Sequence, residues 1–184
     1  IVNTFTVNAE SPLEVAGIDP LALVSTGDVV VTNVSSWVTP AGVFFVTGEV
    51  LNNTLNPIAE IPVRVQIFAE DGTGLAEARD RVMGYGVPPG GFAPFSLRFG
   101  QGQPDAAQEF RILIGDDGWT PETGDATALV GGASLTWRDE WTLTEDGQLL
   151  IEGEVTNTGD NTVSDPLATI TAFDTSNRIV ATGF

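Results

Sequence analysis

Cysteine, histidine and lysine are absent from the chain, so all seven basic residues are arginine. Without cysteine there is no disulfide, thiolate metal site or thiol nucleophile, and without histidine there is no imidazole ligand or base. These absences exclude Ser-His-Asp and Cys-His catalysis, ordinary haem and blue-copper sites, and nearly all zinc sites. With most enzyme chemistries removed, we expect a protein without catalytic activity and without a cofactor.

Positive charge is scarce as well. The chain has 25 acidic residues against seven arginines, a formal net charge of −18 and a pI near 4.1. Such a surface repels phosphate backbones, which excludes a nucleic-acid partner. Because the acids are scattered along the chain, we interpret the charge as a means of solubility, or as adaptation to a saline or acidic setting, with cation binding as the alternative.

Long apolar runs are missing. The longest, such as Val43–Val46, fall far short of the roughly 18 residues that a membrane span requires, so no span is expected. The chain begins with Ile1, and no basic and apolar leader pattern follows. We interpret it as a mature product, a trimmed recombinant chain or the ordered part of something longer, which leaves a lost signal peptide or anchor open.

Helical patterns are equally rare. The chain has 21 Gly, 11 Pro and many Thr and Val residues, a composition that favours the all-β class. Only residues 72–82 and 104–109 could form short helices, and 75–82 also fits a strand.

The chain contains a repeat. The phrase GEVLNNT at 48–54 returns as GEVTNTG at 153–159, and the likeness extends upstream and downstream of both. A period of about 105 residues is the size of one sandwich domain rather than of a solenoid unit. We therefore expect two tandem copies of one domain.

Apolar residues alternate inside each copy, which is typical of strands with one buried face. The predicted inward positions of the central strand are Phe44, Val46, Gly48 and Val50 in copy one and Leu149, Ile151, Gly153 and Val155 in copy two. Those of the next strand are Val63, Val65 and Ile67, matched by Ala168, Ile170 and Ala172. A glycine on the inward face indicates a bulge or the close approach of an aromatic residue such as Trp37 or Trp141, which align between the copies.

These patterns define four segments. Copy one, residues 28–115, has six or seven predicted strands and forms a complete sandwich. Residues 116–131 are the linker, and copy two, residues 132–184, has no counterpart of the last two strands of copy one. The extension 1–27 has no repeat partner, but its opening IVNTFTVN alternates like a strand that could close its own domain, end a preceding one or complement the open copy of a neighbouring subunit.

The segment LATITAFDTSNRIVATG at 167–183 resembles the FxLYD-type domain. Alternating β-branched residues are followed there by an aromatic-Asp pair, a polar turn and a Val-rich return strand. The stretch PPGGFAPFSLRF at 88–99 is similar to the Pro-Gly turn and Pro-Phe strand of that family, and GEVLNNT and GEVTNTG resemble its Gly-x-Val-x-Asn segment. Copy one departs from the pattern, since Phe68 is followed by Ala69 and the acid is displaced to Asp71.

The likeness covers residues 28–115 and 132–184. It implies tandem immunoglobulin-like antiparallel β-sandwiches from a bacterial or archaeal extracytoplasmic protein, where such domains usually repeat beside other modules. The family has no known catalytic residues, so none are transferred to this chain.

Two asparagines begin Asn-x-Ser/Thr acceptors for glycosylation, Asn33 and Asn52. Asn52 aligns with Asn157, which is followed by Thr158 and Gly159 and is not an acceptor. Since the asparagine persists and the acceptor does not, we interpret Asn52 chiefly as a residue that hydrogen-bonds the turn.

Four acids crowd the linker: Asp116, Asp117, Glu122 and Asp125. Carboxylates at this point could hold Ca²⁺ and stiffen the pair of domains, although no Asp-x-Asp-x-Asp-Gly loop is present. Trp119, also in the linker, has no repeat counterpart and is the candidate for contact with a ligand.

Two further patterns concern sugars. The acids Glu49 and Glu154 could in principle form the carboxylate pair of a glycosidase, but they occupy equivalent positions in different copies. The aromatic residues Trp119, Trp137, Trp141, Trp37 and Tyr85 could form a sugar-stacking platform, although Trp37 and Trp141 are more simply packing residues.

The sequence therefore predicts a non-catalytic structural or adhesive module, outside the cell or on its surface, that assembles with protein partners or with itself through strand edges. The alternative is a carbohydrate- or ligand-binding accessory domain of a larger secreted protein. An exposed aromatic cluster on one face would favour the alternative, and an unpaired edge filled by a donated strand would favour assembly.

Overall fold

The computed structural model describes residues 2–10, 14–15, 19–24, 27–115, 119–125, 134–145, 148–164, 166–176 and 178–183. These residues form strands, turns and loops without a helix, which confirms the all-β class. The strands are β1 (Val2–Glu10), β2 (Glu14–Val15), β3 (Asp19–Val24), β4 (Val29–Val38), β5 (Phe44–Asn52), β6 (Pro62–Phe68), β7 (Gly74–Arg81), β8 (Phe92–Phe99), β9 (Glu109–Ile114), β10 (Leu135–Leu143), β11 (Gln148–Asn157), β12 (Ile170–Phe173) and β13 (Ile179–Gly183).

Copy one consists of two four-stranded sheets. Their strand orders are β2-β4-β5-β8 and β3-β9-β6-β7. Neighbouring strands are antiparallel except for β3, which runs parallel to β9. The core lies between the sheets, with Phe44 and Phe95 from the first and Ile67 and Phe110 from the second.

The alternation in copy one correctly predicts the buried faces. Along β5, the four predicted inward residues are all buried. Along β6, Val63, Val65 and Ile67 are at most 1% exposed. The predicted short helices are wrong: most of 72–82 lies in strand β7, and 104–109 is turn and loop leading into β9. Gly72 has a φ of +82°, and the turn that it forms sends the chain back as a strand.

Copy two is built from smaller sheets. Strands β10 and β11 pair antiparallel, and β1 from the start of the chain joins them, giving the order β1-β11-β10. Strands β12 and β13 form a separate antiparallel pair. Copy two therefore repeats the central strands of copy one on a reduced scale.

Strand β13 attaches copy two to copy one. The carbonyl oxygen of Ile179 accepts hydrogen bonds from the Ser35 hydroxyl at 2.5 Å and from the Thr47 hydroxyl at 3.4 Å. Ile179 itself is fully buried. Ser35 and Thr47 lie opposite each other on β4 and β5, on the face turned away from the core. The two copies are thus joined by side-chain contacts as well as by the chain.

The extension 1–27 is divided between the copies. Strand β2 pairs with β4 and strand β3 with β9, so this part adds to copy one. Such pairing is what the hypothesis that the extension closes its own domain predicts. Strand β1 instead pairs with β11 of copy two in the same chain. None of the three hypotheses for the extension includes this arrangement.

The described part of the predicted linker, 119–125, is bound to copy one. The Ala59 amide donates to the Glu122 carbonyl at 2.9 Å, and the Gly124 amide donates to the Pro57 carbonyl at 2.8 Å. Within the described ranges, no helix is long and apolar enough to cross a membrane.

Candidate assembly site

The central strand of copy one holds a close contact between a glycine and an aromatic ring. Gly48 on β5 lies opposite Phe95 on β8. A Cβ atom at Gly48 would be 2.5 Å from the ζ carbon of the Phe95 ring and 3.3 Å from the Thr32 carbonyl oxygen. The glycine predicted at this position is therefore explained by an aromatic neighbour, but the prediction of Trp37 was wrong: that ring stacks on Phe45 on the other face, with centroids 4.5 Å apart.

Strand β1 occupies on β11 the place that β8 occupies on β5. Strand β5 lies between β4 and β8, and strand β11 lies between β10 and β1. The registers agree, since Phe5 lies opposite Gly153 as Phe95 lies opposite Gly48. The N-terminal strand thus takes in copy two the position that β8 has in copy one, called here the eighth-strand position.

A signal for this pairing exists in the sequence. When β1 is placed on β8 by register, the run Phe5-Thr6-Val7 matches Phe95-Ser96-Leu97 in residue type. Residues 5–7 therefore resemble a short segment of copy one once the register is known. The match is short, and it lies before copy one in the chain rather than within copy two.

The inward face of copy two is covered over only part of its width. Ile151 on β11 is 7% exposed and lies across from Ile170, Ala172 and Ala181 of the β12–β13 pair. On the neighbouring β10, by contrast, Trp137 and Trp141 are 66% and 70% exposed.

The register shows that these tryptophans share the face of Ile151. Trp141 lies opposite Ile151 and Trp137 opposite Val155, and directly opposite residues of an antiparallel pair lie on one face. Asp139, opposite Gly153, belongs to the same row between the two rings. This row, two tryptophans with an aspartate between them, lies on the same face as the buried Ile151 but is exposed.

Trp141 and Trp37, although aligned in sequence, do not occupy equivalent positions in the structure. Trp37 lies opposite Phe45, on the face away from the core, whereas the partner of Trp141 is Ile151, which corresponds to Val46. Copy two has one residue more than copy one between the aligned tryptophan and the repeated phrase, and the alignment places that residue in the turn. In the structure it lies in the strand between Trp141 and the turn. An offset of one residue moves a strand side chain to the opposite face.

The asparagine of the repeated phrase holds the same turn in both copies. Asn52 Nδ2 donates to the carbonyl oxygens of Asn56 and Val87, both at 2.9 Å, while its Oδ1 accepts from the amide and hydroxyl of Thr54. In copy two, Asn157 Nδ2 donates to the Asn161 carbonyl at 2.7 Å, again four residues ahead. The phrase recurs because each copy uses this asparagine to close the turn.

The hairpins β6–β7 and β12–β13 are also closed alike, although their acids differ in position. The Asp174 carboxylate accepts from the Ser176 and Arg178 amides at 2.8 and 2.9 Å. In copy one, Asp71 accepts from the Thr73 amide at 2.9 Å. Asp71 therefore accepts a backbone amide of the hairpin turn as Asp174 does, although it lies two residues further along the turn.

Hydrogen bonds lower the pKa of both turn aspartates below the ordinary value of 3.8. At Asp174 the main cause is the Arg178 amide, and at Asp71 it is the Thr73 amide. A carboxyl group with a depressed pKa in the folded chain stabilises the fold fully above its unfolded pKa, and this contribution is lost as the pH falls through the folded pKa.

We expect the Ser176 and Arg178 amide resonances to titrate with a midpoint below 3.8, because both amides bond to ionised Asp174. The measurement is a series of amide NMR spectra from about pH 2 to about pH 6, spanning the ordinary carboxyl range. The Thr73 amide, bonded to Asp71, is the internal comparison and should behave alike. A midpoint at or above 3.8 for these amides would contradict the assigned turn bonds.

The predicted calcium cluster lies only partly within the described residues. Asp116 and Asp117 fall outside them, and the Glu122 carbonyl oxygen accepts the Ala59 amide within copy one. Asp125 has an interaction of its own. Over the described ranges, no group of three or more acids is placed to hold a metal ion. Calcium at 116–125 stays a prediction.

The candidate glycosylation sites differ in access. Asn33 is exposed, has a φ of +51° in a bulge of β4 and donates its Nδ2 to Glu49 at 2.6 Å. Asn52 is fully buried and uses both amide hydrogens inside the protein. This geometry favours the turn-closing role of Asn52 over attachment of a glycan.

Trp119, the candidate ligand contact, is half-buried against the core of copy one. Its ring carbons lie so close to Gly115, whose φ is +79°, that a Cβ there would be 2.6 Å away. The ring therefore packs on the end of β9, with part of its surface still accessible.

The carboxylates Glu49 and Glu154 are held by different neighbours. Glu49 accepts from Asn33, while Glu154 forms an exposed ion pair with Arg138 at 2.5 Å. A separate groove of about 260 Å³ beside β7 and β8 is lined by Asp80, Met83 and Leu167, among others. Neither Glu49 nor Glu154 lines it.

Compared with models of known protein families, with curated proteins and with solved structures, the chain matches none. Its function is therefore inferred from the geometry of the chain alone.

Proposed function

We propose that the chain is a non-catalytic structural or adhesive module of an extracytoplasmic surface, and that it assembles by donating and accepting β-strands. The observation that carries this proposal is that β1 pairs with β11 of copy two at the position that β8 occupies beside β5 in copy one. Antiparallel addition of a strand to a sheet edge is a known mode of protein recognition, in which backbone bonds give affinity and alternate side chains give specificity.

The same pairing can be made between two chains. The sequence of copy one separates β1 from β11, so the intrachain contact closes a long loop. A β1 strand from a neighbouring molecule would make identical contacts, and the local concentration of neighbours decides which source prevails. At a crowded surface this exchange would link subunits into a larger assembly.

The proposal includes the finer fold assignment. Two sheets around one core in copy one, and a shared turn asparagine in both copies, support tandem immunoglobulin-like sandwiches. The pair Phe173-Asp174, with its aspartate closing the hairpin, supports the resemblance to FxLYD-type domains and hence an extracytoplasmic location.

A mixture of two single-cysteine chains tests the exchange. Thr6 of β1 lies opposite Glu152 of β11, a separation that a disulfide can bridge. We expect Thr6→Cys and Glu152→Cys chains, refolded together and oxidised, to give disulfide-linked dimers on a non-reducing gel. The chain has no native cysteine to interfere.

The matched control mixes Thr6→Cys with Glu140→Cys. Glu140 lies opposite Glu152 on β10, so it is two strands away from Thr6, about 10 Å, which exceeds disulfide reach. If the Thr6 and Glu152 mixture yields no more dimer than this control, strand exchange between chains is rejected.

A carbohydrate-binding accessory domain is the second candidate, and one observation favours it. Trp137, Asp139 and Trp141 are exposed in a row on one face of β10. Aromatic faces flanking a carboxylate can stack on a sugar and bond its hydroxyl groups. The two candidates differ in what covers this row, a sugar or a polypeptide.

A further inference from the structure

Copy one shows how its own counterpart of the exposed row is covered. Strand β9 pairs with the edge of β6, with Ile112 opposite Val65 and Phe110 opposite Ile67. The alternate side chains of β9 face the core, where Phe110 and Ile112 are at most 1% exposed. The second sheet of copy one is therefore wide enough to cover the whole first sheet.

Copy two has the counterpart of β6 but, within its described residues, no counterpart of β9. Strand β12 corresponds to β6, because each pairs with the next strand through an irregularity at the same place, between Ile67 and Phe68 and between Ala172 and Phe173. Strand β6 has β7 on one side and β9 on the other, whereas β12 has β13 on one side and no described strand on the other.

The tryptophans stand where copy one has core-facing residues. Trp137 lies opposite Val155 as Val31 lies opposite Val50, and Val31 is only 6% exposed whereas Trp137 is 66% exposed. Residues at these positions are buried when the second sheet is complete. The exposed row and the open edge of β12 are thus two consequences of one missing strand.

We propose that the row Trp137–Trp141 and the open edge of β12 together bind an extended polypeptide segment of the β9 kind, antiparallel to β12, with apolar residues at alternate positions. This deepens the proposed function and rests on it, because it names a second strand-accepting position on the same module. The free backbone edge would give such a segment hydrogen bonds, and the rings would cover its apolar side chains.

Charge narrows the partner further. The chain as a whole carries a formal net charge of −18. A segment with a neutral or basic residue on its outer face meets less repulsion than an acidic one. The native β9 has no net charge, since Arg111, between Phe110 and Ile112, shares its face with Glu109.

A labelled peptide of residues 108–115 is the probe. It is titrated, with fluorescence anisotropy as the readout, against monomer in which Thr6→Cys and Glu152→Cys are joined within one chain. That disulfide holds β1 on β11, so the peptide cannot bind by replacing β1. We expect saturable binding, weakened about tenfold or more by Trp137→Ala or Trp141→Ala, as for an anchor residue at an interface.

Two controls accompany the titration. Leu55→Ala removes another exposed apolar side chain, 93% exposed, and should leave binding unchanged. A peptide of the same composition in which Phe110 and Arg111 exchange places should bind at least about tenfold more weakly, because alternate residues of a strand face one side and the aromatic ring would then face away from the row.

Absence of binding overturns the inference, as does binding that the two tryptophan substitutions leave unaltered. Competition by a soluble glucan oligosaccharide at the same row would assign the site to carbohydrate and also overturn it. The peptide is tested on a closed monomer, so the two experiments can fail separately. Peptide binding without dimers in the cysteine mixture would reject strand exchange but keep this site. Dimers without peptide binding would keep strand exchange but reject this site.

Discussion

Replacing Asn52 by alanine should lower the free energy of unfolding by about 3 kcal/mol, because buried polar groups would lose their partners. Asn52 is fully buried and makes four hydrogen bonds. Its loss removes the acceptor of the Thr54 amide and one of the two donors to the Val87 carbonyl oxygen, which keeps the Ile58 amide. Each unsatisfied buried group costs about 1–3 kcal/mol, and the cavity adds to that cost.

The repeat provides the matched control. Asn157 makes the equivalent bonds to Asn161 and Gly159 but is only half-buried, so water can replace them. We expect Asn157→Ala to cost about 1 kcal/mol or less, in the range of a solvent-accessible hydrogen bond. Urea unfolding followed by circular dichroism measures both variants. Equal losses would show that burial of Asn52 does not set its contribution.

Local patterns were enough to predict most strands. In β6, Val63, Val65 and Ile67 alternate with polar or less buried residues, and one face of the strand is buried as that period requires. Within 88–99, the structure has the turn followed by strand β8, as the resemblance of this stretch implies. Such strands are predictable because a single buried face leaves its record in every second residue.

The pairing of β1 was not predictable in the same way. Alternation identifies a strand but not its neighbour, and Phe5 becomes informative only when it is placed opposite Gly153. Sequence order suggested that an N-terminal strand would join the nearest copy or another molecule. The long-range partner was decided by which sheet edge was open, which is a tertiary property.

The exposed row of β10 was missed for a different reason. Aligning Trp141 with Trp37 assumed that the extra residue lies in the turn, but it lies in the strand and reverses the side chain. The bulge at Asn33 in β4 adds a second offset of one residue in the same direction, since Thr32 opposite Glu49 corresponds to Arg138 opposite Glu154. Trp137, which aligns with no tryptophan, then becomes half of the row.

Gly48→Ala should destabilise copy one by about 2–3 kcal/mol, since overpacking a filled core typically costs 1–3 kcal/mol. The new methyl group would be 2.5 Å from the Phe95 ring, which is fully buried and cannot turn away without displacing its neighbours. Gly74→Ala is the control, because it also adds a methyl group in a strand but meets nothing within 4 Å. We expect that substitution to be neutral or slightly stabilising.

A second substitution locates the cause of the loss. If the clash with the ring produces it, Phe95→Leu should cost less in the Gly48→Ala chain than in the native chain, giving a coupling free energy of about 1 kcal/mol or more between contacting residues. Urea unfolding of the two single variants and the double variant measures this coupling. Additive losses would mean that the glycine is needed for the backbone of β5 rather than for the ring. The Phe5–Gly153 register would then lose its value as evidence that β1 fills an eighth-strand position.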